Sequence, residues 1–577
     1  MAVSDTTDRR GQDDAPEGVG HDAPGPTPAQ DGWVETGLTP RQIKLTLAGV
    51  TLAMFLSAMD QTIVGTALPR IISDLGGFDR FTWVTTSYIV ASTAVIPLAG
   101  AVADVYGRKW LYVAGLVVFL VGSVLAGSAG TMNMLIAFRA IQGVGAGVMM
   151  ALAFVTIADM FPPAERAKYT GLIAGVFGIS SVIGPTLGGF LTDSLSWHWI
   201  FFVNLPLGIP VIFLFVKLFP DRKPARGRKI DIPGATLLVM TIVPGLVGVS
   251  WGGVQYAWDS VQVIGALTIS VVAGLAFVFT ELRVSDPIMP FGIFKNRIVA
   301  ISLVIIFLTG FAMFGAMVFI PLLFQGVLGA SPTESGSFMT PMMLGVVAGA
   351  ALSGQVLSRT GGHYRTQGIV GLGIMLFGMG VLTQVSDHAN YSFALTGAIT
   401  MGFGLGTTFP LFTIAVQNAV PFRSLGVATS STQFFRSVGG SLGLAIMGSY
   451  MVKRFRDGLG SALPEGTDSV LSVERISNIS DNPSALLDPN SLSVLRDEIT
   501  ASSDPAFADR VINGMEAALA SALSDVFTVA FFMGVAALVV VLFLKEIPLR
   551  RREHPAPDAA REAPRPVTRP ETAGGGE

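Results

Sequence analysis

The sequence predicts an all-α polytopic membrane protein with about 14 transmembrane helices, and three observations predict it. Of its 577 residues 51% are hydrophobic and only 13% charged, against about 25% charged in ordinary soluble domains. Apolar runs of roughly 18 to 27 residues, each able to cross about 30 Å of hydrocarbon, recur along the chain. Lys and Arg gather in alternate short loops, the pattern of loops retained in the cytoplasm.

The runs lie near 45–69, 81–103, 110–129, 133–158, 169–193, 198–219 and 233–253, then 260–281, 298–325, 335–357, 366–386, 391–417, 426–449 and 523–545. Loops after even-numbered runs hold Arg108 and Lys109, Arg166 and Lys168, five basic residues over 222–229, Arg283 with Lys295 and Arg297, Arg359 with Arg365, and Arg423. These loops are expected to be cytoplasmic, with both termini inside, in a multi-pass protein of the inner (plasma) membrane. Arg70 and Arg80 are the exceptions on the opposite side.

Residues 1–44 and 549–577 are rich in Pro, Gly and charge and read as disordered cytoplasmic tails. The segment 450–522 reads as a long extracytoplasmic loop. Within it, FADRVINGMEAALASALSDVF spaces apolar residues at helical intervals and leads into the last run.

Composition also excludes function classes. The absence of cysteine removes disulfides, thiolate metal sites and cysteine nucleophiles. A net charge of −3 without a long basic stripe argues against nucleic acid. No lysine follows a glycine, so the chain has no G-x-x-x-x-G-K-[ST] phosphate loop. The run GVGAGV at 143–148 lies inside an apolar run with no preceding strand and reads as small residues for close helix packing. No cofactor, metal or enzymatic centre is expected; the partners are the lipid bilayer and a small-molecule substrate.

The chain repeats itself. GAVADVYGRK at 100–109 overlays GQVLSRTGGH at 354–363, Gly100 on Gly354 and Gly107 on Gly361. Gly171, Gly184 and Gly188 likewise fall on Gly426, Gly439 and Gly443 at nearly the same offset. The register gives residues 45–219 and 298–548 as two six-helix halves, with 220–297 a linker holding two inserted helices. Parallel halves of this kind carry a substrate site between them near the membrane midplane.

Asp60, in LSAMDQTIVGTALP, is a carboxylate inside a spanning run, where insertion costs about 2.5 to 3.5 kcal/mol. Counted from Pro69 it lies roughly 13 Å deep, and Arg139, counted from Asn133, roughly 9 Å deep, so the two can meet. Desolvation favours a neutral carboxyl and a nearby cation favours the charged form, so such a pair can gain or lose a proton as its surroundings change. The alternative is a permanent bridge between helices. All five histidines fall in tails or near run ends, leaving Asp60 as the main candidate for a proton switch. Arg436, about 12 residues into the thirteenth run, has no acid in its own run or in the four second-half runs before it; helix carbonyls, Asp60 or an anionic substrate are its candidate partners. Gln61, Gln142, Gln325 and Gln417 are scattered polar groups for an otherwise apolar and aromatic cavity.

Together these stretches resemble the major facilitator superfamily, and within it the fourteen-helix drug:proton antiporters. GAVADVYGRK resembles the superfamily's loop signature, LIAFRAIQGVGAGVMM its fourth-helix arginine motif, and GVFGISSVIGPTLGG the antiporter motif of the fifth helix. MDQTIVGTALP resembles the antiporters' first-helix signature, while WHWIFFVNLPLG and WGGVQYAWDS are similar to the fourteen-helix branch. The resemblance implies the major facilitator fold, proton coupling through Asp60 and Arg139, and a cytoplasmic gate of Gly100, Asp104, Gly107, Arg108 and Lys109. It also implies an antiporter-specific bend at Gly175, Gly184, Pro185, Gly188 and Gly189. The activity it implies is proton-coupled export of amphipathic small molecules by a monomer, a multidrug efflux pump. The rival readings are an exporter of one endogenous lipid or secondary metabolite, and a transport-inactive membrane scaffold or receptor.

Overall fold

The computed structural model describes residues 39–549 except 76–81, 162, 220–230, 254, 285–286, 331, 386–389, 422–423 and most of 473–488. Residues 1–38 and 550–577, the basic run over 222–229, Arg80 and Arg423 lie outside the described residues.

The first half comprises α1 (Pro40–Leu75), α2 (Thr82–Tyr106), α3 (Arg108–Gly127), α4 (Met132–Met160) and α5 (Pro163–Ser194), then a sixth span broken into α6 (Trp199–Phe202) and α7 (Asn204–Leu218). The inserted pair is α8 (Ile232–Trp251) and α9 (Val261–Glu281). The second half comprises α10 (Arg297–Gly326), α11 (Pro332–Thr360), α12 (Tyr364–Leu382), α13 (Tyr391–Asn418) and α14 (Leu425–Ala462). After these come α15 (Thr467–Val470), α16 (Pro489–Ser502) and the last span, α17 (Pro505–Val541). Among the described residues twelve helices, with α6 and α7 taken as one span, are long and apolar enough to cross a membrane. The remaining two long helices, α5 and α14, bring the number to fourteen. In α14 the small polar residues are buried against other helices, and Ser430, Ser431 and Thr432 return their hydroxyl protons to carbonyls of their own helix. Such a helix tolerates the membrane without being strongly apolar.

Three boundaries differ from those read in the sequence. Helix α1 begins at Pro40, inside the expected tail, and runs through Pro69 to Leu75, because a proline costs a helix one bond without having to end it. Helices α14 and α17 extend into the expected loop at 450–522. At 38 and 37 residues each is about 56 Å long, well beyond the hydrocarbon thickness. Their extensions share one apolar core containing Phe455, Leu459, Val511 and Met515, and Arg454 pairs with Asp525 at 2.7 Å. At the other end of the chain Leu549 is buried and its N–H donates to the Gly361 carbonyl at 2.9 Å.

The repeat is visible in backbone contacts. On α4, Gly143 and Gly147 press on the Tyr88 and Ser92 carbonyls of α2, a Cβ at either position falling 2.4 Å from oxygen. On α13, Gly402 and Gly406 press on the Met342 and Val346 carbonyls of α11 at 2.6 and 2.0 Å by the same measure. The turns also match: Gly107 and Gly361 hold φ of 89° and 75°, the left-handed region that glycine enters without a Cβ penalty.

The two seams between the halves are built differently. The α8–α9 hairpin packs on α2 and α14, with Leu238, Ile242, Leu246 and Phe277 against Val90, Ala94 and Phe434. The other seam, between α5 and α11, carries an apolar cleft of about 220 Å³ lined by Gly178, Ile179, Ile183, Met343 and Leu344 among others. Ile179 and Leu344 are more than half exposed there.

If the close helix approaches hold the fold, Gly406→Val lowers thermal stability in detergent by about 1–3 kcal/mol through overpacking. Gly189→Ala, with nothing within 4 Å of its new Cβ, leaves it unchanged. A Gly406→Val protein that melts with the wild type contradicts this account of α11–α13 packing.

Candidate functional site

Asp60 and Arg139 meet. Both are fully buried, on α1 and α4, and Arg139 Nη1 bonds Asp60 Oδ2 directly. Helix α1 continues past Pro69 to Leu75, and the two side chains lie at one level.

Two amides complete the carboxylate's shell. Gln142 Nε2 donates to Asp60 Oδ1 at 2.8 Å and Asn204 Nδ2 donates to the same oxygen at 3.0 Å. Gln142 Oε1 in turn accepts from Arg139 Nη1 at 2.7 Å. Ser123 ties the amides together, accepting from Gln142 at 3.1 Å and Asn204 at 2.9 Å while donating to the Phe201 carbonyl at 2.8 Å. Arg139 Nε donates to the Val84 carbonyl at 3.2 Å, and its guanidinium lies 4.3 Å from the Tyr88 ring centre, a cation–π contact. The Tyr88 hydroxyl donates to the Ser57 carbonyl at 3.1 Å.

The packing makes this convergence possible. Gly122 lets α3 approach the Gln142 backbone, where a Cβ would sit 2.6 Å from the amide nitrogen, and this brings Ser123 within reach. Asn204, at the first turn of α7, and Ser123 were not singled out from the sequence. A polar residue in each of two apolar spans was the available signal.

The antiporter stretch borders this cluster. A Cβ on Gly184 would fall 2.0 Å from Thr62 Oγ1, and Thr62 donates to the Ser180 carbonyl at 3.1 Å. Helix α5 is thus seated on α1 two residues past Asp60. It continues through Pro185 to Ser194, although Pro185 offers no N–H to the Ser181 carbonyl. Gly188 is buried, a Cβ on Gly175 would meet Val347 at an ordinary 3.5 Å, and Gly189 has open space beside it. Tight packing therefore explains Gly184 and not Gly175 or Gly189.

At the end of the molecule bearing the α2–α3 turn, Arg108 pairs with Asp104 at 3.4 Å and with Asp159, the next-to-last residue of α4. Gly100 packs on Ser430 and the Gly426 carbonyl, and a Cβ on Gly426 would lie 2.4 Å from Asp104 Oδ1. The Asp104 carboxylate therefore stands against the first turn of α14, where helix N–H groups favour negative charge. Lys109 lies 5.7 Å from the Trp110 ring centre. Asp159 was not among the residues anticipated. At the equivalent turn in the second half, Ser358 is exposed and bonds its own helix at the Gln355 carbonyl.

Of the cavity candidates, only Gln142 joins the Asp60 cluster. Gln61 is half-buried and outside it. Gln325 lies in the last turn of α10, and Gln417, which donates to Thr429 at 3.2 Å, in the last turn of α13. Neither is at mid-helix depth. Arg436 is buried in α14, 3.6 Å above the Phe409 ring.

The Major Facilitator Superfamily model matches residues 50–444. The chain belongs to the major facilitator superfamily. It is 36% identical to Multidrug transporter protein MdtP of Bacillus subtilis (strain 168) over 88% of this chain and 94% of that protein. It is 37% identical to Multidrug resistance protein 3 of the same organism, over 87% of this chain and 95% of that protein. The proton:xylose symporter XylE, only 14% identical, shares the fold with a TM-score of 0.55 over 88% of this chain and 98% of that one. This major facilitator is a multi-pass membrane transporter of small molecules and not an enzyme.

Asn204→Leu removes one donor from Asp60 and one from Ser123. It lowers thermal stability by about 2 kcal/mol, the cost of leaving a buried charged acceptor short of a hydrogen bond. Gln61→Leu, outside the cluster, changes it by less than about 0.5 kcal/mol. Melting curves of the two purified variants check the difference; equal effects would remove Asn204 from the cluster.

Proposed function

We propose that this transporter is a proton-coupled antiporter that exports amphipathic small molecules across the plasma membrane, acting as a monomer with both termini cytoplasmic. The observation that carries the reading is the sealed Asp60–Arg139 pair in a chain so similar to two proteins named for multidrug transport or resistance. A conformational change that separates Asp60 from Arg139 would take away its cation, and a nearby cation is what favours the charged form of a carboxyl over the neutral one. Protonation of Asp60 on one side of the membrane and release on the other would then be tied to movement of the halves.

In this reading the end bearing Asp104 and Arg108 is cytoplasmic, as the basic residues of the short loops favour. The contact of Asp104 with α14, together with the Arg108–Asp159 pair, is the latch that holds that end closed. Alternating access requires the latch to open.

The decisive experiment uses the purified chain in vesicles with an imposed pH gradient and a panel of fluorescent amphipathic compounds, charged and uncharged. Asp60→Asn abolishes gradient-driven accumulation while the protein stays folded, since an amide of nearly the same shape cannot cycle a proton. Undiminished active transport by this variant would exclude Asp60 as the coupling group. Asp104→Asn acts elsewhere: it broadens the distance between spin labels on the ends of α2 and α14 and changes substrate affinity little. An unchanged distance with lost binding would contradict the latch.

A further inference from the structure

We infer that Arg436 receives an acidic group of the transported compound, so that the pump takes amphipathic anions as substrates. Arg436 is 6% exposed, near the middle of the buried length of α14. Its guanidinium stacks on Phe409 at 3.6 Å and Nη2 reaches Thr413 Oγ1 at 3.4 Å. Nη1 is buried and has no hydrogen-bond partner among the described residues.

Among the described residues no carboxylate pairs with Arg436. Between Glu334 and Asp457 the only acid is Asp387, which precedes α13 and lies outside the described residues. Asp60 is already committed to Arg139, Gln142 and Asn204. A lone cation at membrane depth costs several kcal/mol, and a ring face with one long hydrogen bond offsets only part of that. A donor left aimed at nothing is satisfied when an anion arrives.

The position fits a substrate group. Phe409, the ring under the guanidinium, lies 6.3 Å from Phe154 of the first half, and Phe434, two residues before Arg436, packs against the first-half core. Arg436 therefore stands at the seam between the halves, where transporters of this architecture bind their cargo. Aromatic surface beside a single fixed charge selects a compound with an apolar body and one carboxylate or sulfonate. Gln433, one turn earlier on the same helix, holds a buried and unpartnered Oε1 that can accept from a donor on that compound.

The inference rests on the exporter reading for there being a cargo, so its test measures binding without any proton gradient. The probes are dansyl-leucine, an amphipathic carboxylate, and its uncharged methyl ester, titrated by fluorescence into the full chain in detergent. Wild type binds the acid roughly 10- to 100-fold more tightly than the ester, the worth of a charge-assisted hydrogen bond out of water. Arg436→Gln brings that ratio to about one. Arg436→Lys keeps the charge without the fork and retains an intermediate ratio. No acid preference in wild type overturns the inference, as does an undiminished preference in Arg436→Gln. If Arg436→Gln is not recovered folded, the wild-type ratio decides. Loss of pH-driven transport with the acid preference intact would count against the exporter reading alone.

Discussion

A carboxylate and a guanidinium enclosed in the interior of a membrane protein must find their hydrogen bonds within the protein, because hydrocarbon supplies none. That constraint organises the first half. Asp60 and Arg139 draw α1 and α4 together; Gln142, Ser123 and Asn204 then bring α3 and α7 into the same cluster. Small residues follow from the approach distances, Gly122 against α4 and Gly184 against α1. Removing either charge alone strands the other, the costly way to break a buried pair.

The second half repeats the packing but not the chemistry. The α11–α13 contact reuses the glycine spacing of α2–α4, yet Ala398 stands where the register puts Arg139, and Ser358 where it puts Asp104. Among the described residues its one deeply buried cation, Arg436, sits on a ring face instead of a carboxylate. Duplication thus preserved what holds helices together, while the polar clusters serve one half each.

Much of this was legible in the sequence, for physical reasons. Span length and hydropathy report burial in lipid directly, so fourteen helices and the repeat could be read, including GVGAGV as a packing run. The meeting of Asp60 with Arg139 was legible because two opposite charges at similar depth in spanning runs each lower the other's cost by pairing. Asn204, Ser123 and Asp159 were not found, since a neutral amide, a hydroxyl, or an acid at a helix end carries a small penalty and stands out little. The ends of α1 and α14 were misjudged because helix continuation past the bilayer depends on packing such as Phe455 with its apolar neighbours, which hydropathy does not report; the helical lead into α17 was legible in its apolar spacing. Gln325 and Gln417 looked like cavity groups only while their depth was unknown.

The α8–α9 hairpin breaks the equivalence of the two seams. A pair of rocking halves alone would present lipid with two like flanks. Here one flank is bonded over by a helical strap that reaches from the start of α2, where Trp83 meets Gln255 at 3.3 Å, to Ser449 on α14. Tilting the halves therefore shears protein against protein on that side and protein against acyl chains on the other. The α5–α11 flank, with Ile179 and Leu344 exposed, has no such cover, so a bilayer would meet unlike surfaces at the two seams.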